Sequence, residues 1–359
     1  MSFALTLPTT LEGLFIDGQW SAGPEHLRVI NPATEALLTT VNGGDAHSVD
    51  QAVSAAANAF KGWSQTTGAE RGAVLRKIAA GVQAGREQLM HLQSGNNGKP
   101  LFEAAIDVDD VIATFEYYAG LAEGLDARQD SAVELPSDEF SARVRREPCG
   151  VVGLIVPWNF PMVTTAWKLA PALAAGCCVV LKPSEVTPLP ELELAAIIAQ
   201  SGLPKGVFNL VCGTGLAVGA PLSVDPRIAK ISFTGSNAVG VQVMQRAAET
   251  VKGVSLELGG KSSLLVLADA DIELAVEVAC GGGFYNAGQM CSATSRVLVA
   301  DELADEFLIR LKARAEAIRV ADPFDSNGEM GALVNQAQYQ RVLGHIDRGL
   351  STGAKLICG

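Results

Sequence analysis

Apolar positions in the first third of the chain recur three and four residues apart, the spacing that lays one stripe along a helix. Val49 to Trp63, Arg71 to Leu92 and Phe102 to Leu121 carry it, largely as alanines and leucines. Ahead of them, Phe15-Ile16-Asp17-Gly18 places two apolar residues before a turn pair and predicts a small hairpin. Phe140 to Arg146 alternates apolar with polar or charged residues, as an edge or bridging strand does. At Gly150 the pattern changes. Short β-rich runs (Val151 to Val156, Cys178 to Leu181, Val207 to Val211, Ile228 to Phe233, Val254 to Leu256) recur, most of them followed by a helix-length segment. That alternation predicts an open parallel sheet with helices on both faces. Ligands of such sheets bind beyond the carboxyl ends of the strands. No internal repeat or low-complexity linker interrupts it.

Composition narrows the partners. The chain has 359 residues, room for two domains or one large one. A formal charge of −12 argues against nucleic acid or an anionic membrane as partner. The seven cysteines are an odd number with no CxxC pair, which reads as free thiols in a reducing compartment. Cys177, Cys178, Cys212 and Cys280 lie in apolar runs and read as small buried hydrophobes. Met1 to Thr10 lacks a basic segment and a long apolar core, so no secretory leader is expected there. The longest apolar run, Leu169 to Leu181, contains a proline and a glycine and is too short to span a bilayer. A cytoplasmic location is the expectation.

Four motifs carry candidate chemistry. Pro157-Trp158-Asn159-Phe160-Pro161 follows the strand Val151 to Val156. Asn159 either donates its amide to a developing oxyanion, a contact worth about 3 kcal/mol, or caps the helix that begins near Pro161. Leu181-Lys182-Pro183-Ser184-Glu185 ends another strand. Glu185 can accept from two ribose hydroxyls and repels a 2′-phosphate, which favours NAD over NADP; an exposed ion pair with Lys182 fits the same spacing. Phe233-Thr234-Gly235-Ser236 opens a helix containing Gly240, an anion site at a helix N-terminus. Gly259-Gly260-Lys261-Ser262 is not a phosphate loop, because Ser255 stands where its first glycine belongs. Finally, Glu257-Leu258-Gly259-Gly260-Lys261 and Gly288-Gln289-Met290-Cys291-Ser292 put a carboxylate and a thiol on separate glycine-bounded turns. Those are the groups needed to oxidise an aldehyde through a thioester.

Together and in this order, the motifs resemble the NAD(P)-dependent aldehyde dehydrogenase superfamily, over essentially the whole chain from Phe15. The resemblance implies an α/β fold with an NAD-binding domain over 1–256, bridging strands around 126–149, and the first part of a catalytic domain over 257–359. It implies Cys291 as nucleophile, Glu257 as general base, Asn159 with the Cys291 amide as oxyanion hole, and Lys168 at a proton-relay position, where an ordinary helix-face lysine also fits. Cofactor contacts fall on Ile155, Val156, Pro157, Trp158, Lys182, Ser184, Glu185, Gly215, Phe233, Thr234, Gly235, Ser236, Gly240 and Leu258.

A narrower resemblance joins Glu103 to Asp110, the Phe115 to Gly120 run and Cys291 to Arg296 with the betaine-aldehyde and aminoaldehyde dehydrogenases. In that branch Glu103, Asp107 and Asp110 line the substrate entrance, and their four-and-three spacing puts them on one helical face; a solvated acidic face has the same spacing. Trp167 and Tyr285, with Phe160, are the aromatics expected to wrap an ammonium by cation–π contact. Asn96 occupies the acid position of a cation site, so no metal is expected. The resemblance also implies a longer chain: family members continue past Gly359 into a Glu-x-Phe-Gly-Pro motif, part of the catalytic lobe and a dimerisation strand. On that expectation, a chain ending at Gly359 exposes part of its core and loses activity. The alternatives are a CoA-acylating semialdehyde dehydrogenase, which Glu257 disfavours, and a non-catalytic structural fragment. An oligomeric full-length enzyme acting on a small aldehyde is the leading expectation.

Overall fold

The computed structural model describes residues 5–8 and 10–359; Met1 to Ala4 and Thr9, within the stretch read for a leader, lie outside the described residues. The chain opens with strands β1 (Gly13–Ile16), β2 (Gln19–Ala22), β3 (Glu25–Ile30) and β4 (Leu37–Gly43). Four helices follow: α1 (Ala46–Trp63), α2 (Gly68–Ala84), α3 (Arg86–Asn97) and α4 (Leu101–Glu123). A hairpin of β5 (Ser131–Val133) and β6 (Ala142–Val144) leads into β7 (Val151–Ile155), α5 (Pro161–Ala174), β8 (Cys178–Lys182), α6 (Leu189–Gln200) and β9 (Phe208–Val211). Next come α7 (Ala220–Val224), β10 (Ile228–Gly235), α8 (Asn237–Ala248) and β11 (Gly253–Leu258). The last elements are β12 (Ser263–Val266), α9 (Ile272–Phe284), β13 (Arg296–Val299), α10 (Asp301–Glu316) and α11 (Gln336–Ser351).

Seven strands form the main sheet in the order β11-β10-β7-β8-β9-β1-β2. From β11 to β9 the pairing is parallel, and the first hairpin adds antiparallel at the β9 edge. Strands β7, β8 and β9 are buried along their whole length, as parallel strands with helices on both faces must be. The chain winds outward one way through β8 and β9, then the other way through β10 and β11. The reversal opens a crevice beyond the carboxyl ends of β7 and β10, where such sheets take ligands.

The periodicity expected over Arg71 to Leu92 resolves into two helices rather than one. Gly85, at φ −91° and ψ 10°, stops α2 and starts α3. A glycine costs a helix interior about 1 kcal/mol, which favours a break at Gly85, although Gly72 and Gly81 stay inside α2. Apolar spacing could not show that, because both halves face the same core. The first hairpin turns through Asp17 and Gly18, both at positive φ (51° and 76°), the pairing that a two-residue turn of this hand requires.

Beyond β11 a smaller core of Val266, Val276, Ala279, Cys280 and Phe307 gathers under the parallel pair β12–β13, with α9 and α10 packed on it. Leu265 and Leu298 on this pair, and Leu267 just beyond β12, are more than half exposed.

Candidate active site

The turn after β7 does not use Asn159 as a helix cap. Phe160 holds that position in α5, without a side-chain capping bond. The Asn159 amide instead donates to the carbonyl of Gln289 at 2.8 Å, two residues before Cys291. Hydrogen bonds to its backbone fix the turn from outside: Val156 N–H donates to Lys182 O (3.2 Å), and Trp158 O accepts from the side chains of Asn97 (Nδ2, 2.9 Å) and Thr187 (Oγ1, 3.2 Å).

Cys291 is exposed and follows an unusual turn. Asn286, Ala287 and Gly288 all adopt positive φ (51°, 54° and 74°). For the two non-glycine residues this costs about 1–3 kcal/mol each, so the surroundings must hold it. They do so from three sides. Both oxygens of Glu103 accept from Asn286 N–H at 3.1 Å. Asn286 Nδ2 donates to Asn159 O at 3.0 Å. Gln289 Nε2 donates to Asn286 O at 2.9 Å, while its Oε1 accepts from Val334 N–H at 3.0 Å. Sequence reasoning missed Asn286 and Gln289. Their signal was two amides flanking an Ala-Gly turn immediately before the thiol.

Glu257 lies at the exposed end of β11, in register with Thr234 of β10. The turn beyond it reaches the cysteine loop: a Cβ built on Gly260 would lie 3.3 Å from Cys291 O. Lys168, on α5, is buried rather than lying on a free helix face, and its ammonium donates to Ser232 Oγ at 3.1 Å. Burial draws its pKa down to about 8, with the Glu257 carboxylate acting in the opposite sense. Lys168 and Glu257 therefore share one electrostatic neighbourhood.

The residues read as cofactor contacts cluster at the same edge of the sheet. Lys182, at the end of β8, is buried and donates to Pro183 O (2.9 Å) and Glu185 Oε2 (2.8 Å), so this is not an exposed surface pair. Burial raises the Glu185 pKa, but Lys182 and the Gly215 amide more than reverse that and hold it below the ordinary carboxylate value. Among the described residues, no atom outside its chain neighbours and own helix lies within 4 Å of a Cβ built on Gly215, which leaves an open face beside the pair. Ser184 is buried, its hydroxyl accepting from Val186 N–H at 3.2 Å. Ile155, Val156, Phe233 and Thr234 are buried at the strand ends, with Pro157 and Trp158 half-buried above them. Ser236 caps α8 by accepting from Val239 N–H, and a Cβ on Gly235 would strike the Phe233 ring. Gly240 gives room to another residue: a Cβ there would meet Leu258 Cδ2 at 2.7 Å. A helix start, an anchored carboxylate and an open glycine beside it at the switch point fit a dinucleotide.

Two of the three acids read as an entrance are not at one. Glu103 and Asp107 are buried, only 2% and 3% exposed. Asp107 forms an ion pair with the fully buried Lys99 and accepts from Gln93 Nε2; Glu103 holds the Asn286 turn. The acidic face thus folds over an internal cation, which offsets the repulsion that the spacing implied. Burial pushes the Glu103 pKa up to about 7. Asp110 remains at the surface, where Trp167 Nε1 donates to its Oδ1 at 3.4 Å. It lines an open hollow of about 350 Å3 with Tyr117, Tyr118 and Trp167.

The expected aromatic cage is divided likewise. Phe160 stacks on Tyr285 with centroids 6.1 Å apart, and Lys99 Nζ lies 4.0 Å from the Phe160 ring centroid. That face of Phe160 is already given to a cation of the protein's own. Burial and the neighbouring Asp107, Glu103 and Asp110 raise the Tyr285 phenol above its usual pKa. Trp167 is 55% exposed beside Asp110.

Residues 20–359 match the model of the aldehyde dehydrogenase family. The chain is 48% identical to betaine aldehyde dehydrogenase 1 of Oryza sativa subsp. japonica, covering 97% of this chain and 70% of the relative. It is 46% identical to the peroxisomal aminoaldehyde dehydrogenase 2 of Pisum sativum, covering 99% and 72%. A betaine aldehyde dehydrogenase from Staphylococcus aureus, solved with NAD+, superposes with a TM-score of 0.94 at 36% identity, over 98% of this chain and 70% of that one. These comparisons overturn the cytoplasmic expectation: relatives carry peroxisomal or chloroplastic names, so free thiols and the Met1 to Thr10 stretch do not fix the compartment. By the extent of these matches, the chain belongs to the aldehyde dehydrogenase family.

Proposed function

We propose that the protein oxidises an aldehyde bearing an amine, an aminoaldehyde or betaine aldehyde, to its carboxylic acid with NAD. The observation that carries this reading is the convergence of three motifs at the sheet's switch point. An exposed Cys291 is tied to Asn159 through Gln289 and approached by the Glu257 turn through Gly260. NAD would be held by Lys182, Ser184, Glu185 and Gly215 on its ribose side and by Gly235, Ser236 and the start of α8 on its phosphates, with Leu258 beside the nicotinamide. When bound, it supplies the hydride acceptor.

Cys291, as thiolate, attacks the carbonyl carbon to give a thiohemiacetal. The oxyanion formed there is met by the Asn159 amide, turned from Gln289 O, together with the Cys291 N–H. After oxidation to the thioester, Glu257 takes a proton from the attacking water and the Cys291 thiolate leaves. Lys168, beside Glu257, passes that proton on. In this reading 1–256 holds most of the cofactor and 257–359 contributes the nucleophile, with Glu257 and Leu258 at the end of the main sheet between them.

Amine recognition rests on Asp110, Trp167 and Tyr117, because Glu103 and Asp107 are already engaged. The name of the peroxisomal Pisum sativum relative supports an aminoaldehyde. The test is NADH production on aminoaldehydes and neutral aldehydes of equal length. The amine-bearing substrates should be preferred, and Asp110→Asn should raise KM for them alone. Preference for neutral aldehydes would remove the amine from this reading.

A further inference from the structure

The parallel strands β7 and β8 carry the site at their carboxyl ends. At their opposite ends the chain places two thiols together. Cys149, exposed, precedes β7, and Cys177, buried, precedes β8; their Sγ atoms are 3.7 Å apart. They are 28 residues apart in sequence, so the fold and not chain proximity creates the pair. The strand register makes it, with Val151 opposite Cys178 and Cys178 N–H donating to Gly150 O at 3.3 Å. Gly150 and Gly176, each next to one of the cysteines, have positive φ (127° and 88°) and set the two short approaches.

The two thiols are unequal. A hydrogen bond from Cys177 and the charge of Lys230 outweigh burial and draw Cys149 down to about 6, while Cys177 is pushed well up. Proton loss is therefore favoured at the exposed sulfur over the buried one behind it. A low-pKa accessible thiolate with a second thiol in reach is the arrangement of an oxidant-reactive pair.

We propose that Cys149 and Cys177 form a second thiol site, separate from the catalytic cysteine, that takes a hydroperoxide and closes to a disulfide. The Cys149 thiolate attacks the terminal peroxide oxygen, the O–O bond breaks, and the leaving alkoxide takes a proton from water. Cys149 is then a sulfenic acid. Cys177 loses its proton and attacks the Cys149 sulfur; the S–S bond forms, the S–O bond breaks, and hydroxide leaves with that proton as water. Two thiols lose two electrons, and the hydroperoxide is reduced to an alcohol and water. An S–S bond of about 2.05 Å requires the sulfurs to close the gap by side-chain rotation at the exposed Cys149. The closed loop encloses β7, Asn159 and all of α5 with Lys168, so oxidation fastens the segment that carries the proposed oxyanion donor.

The test uses tert-butyl hydroperoxide on the full chain carrying Cys291→Ala, which removes oxidation at the catalytic thiol. Alkylation and peptide mapping should show the loss of two thiols and one peptide pair joined through Cys149 and Cys177. Cys149→Ser in the same background should retain every remaining thiol at that dose. In the protein with Cys149 intact, both thiols staying alkylatable, or Cys149 joined to another cysteine, would overturn the proposal.

Discussion

Glu103→Gln separates a structural carboxylate from a substrate-binding one. Burial is the largest influence on Glu103 and takes its pKa from an ordinary 4.5 to about 7, against the Asn286 N–H and the Lys99 charge; Asp107 adds to the rise. The folded protein therefore binds this proton more tightly than the unfolded chain does. Its contribution to stability is fully present below about pH 4.5 and is lost as pH rises through about 7. The interval corresponds to about 3 kcal/mol. Glutamine keeps an oxygen for Asn286 N–H and has no proton to lose. In urea unfolding followed by circular dichroism from pH 5 to pH 8, the variant should gain about 2.5 kcal/mol on the wild type across that window. Other titrating groups are common to both proteins, so the difference isolates Glu103. A difference that stays flat with pH, together with a raised KM for aminoaldehydes alone, would return Glu103 to the substrate and refute the positioning role.

Asn159→Ala should lower kcat by about 10²–10³-fold with a smaller change in KM, the cost of one oxyanion donor, as steady-state kinetics would register. Lys99→Met strips Asp107, whose pKa burial already raises, of the cation that lowers it, and should cost about 3–5 kcal/mol in denaturant unfolding; adding Asp107→Leu should recover most of it. Lys168 loses its proton near pH 8, so a role as acceptor from Glu257 predicts a kcat that rises through that region. Lys168→Met should remove that limb, and an unchanged pH profile would assign Lys168 to packing against Ser232.

The parallel sheet was legible because its strands are local, and the proposed cysteine, glutamate and asparagine motifs stand out in the sequence for the same reason. A strand is a run of apolar residues, and a reactive turn is a few residues flanked by glycine or proline. Cys177, Cys178, Cys212 and Cys280 are buried, as their apolar neighbours indicated. The choice between cap and oxyanion donor for Asn159 was not local, because its partner, Gln289, lies 130 residues away. The Cys149–Cys177 pair was hidden for the same reason: strand register created it.

The acidic helix shows why spacing alone misassigned a surface. Intervals of four and three place Glu103, Asp107 and Asp110 on one face of α4 but do not say what that face meets. Its partner is Lys99, eight residues before Asp107 and outside the helix, beyond Pro100 and next to Gly98 at φ 90°. Helical counting cannot cross that break, so the counter-charge was invisible to it. Once Lys99 neutralises Asp107 from within, Glu103 is left to take the Asn286 amide, and α4 becomes a second support for the thiol loop. The turn before Cys291 is then gripped from α4 by Glu103 and from the end of β7 by Asn159. Loosening either grip should cost turnover without removing the nucleophile, and in the proposed function α4 meets the amine only at its outer edge, through Asp110 and Tyr117.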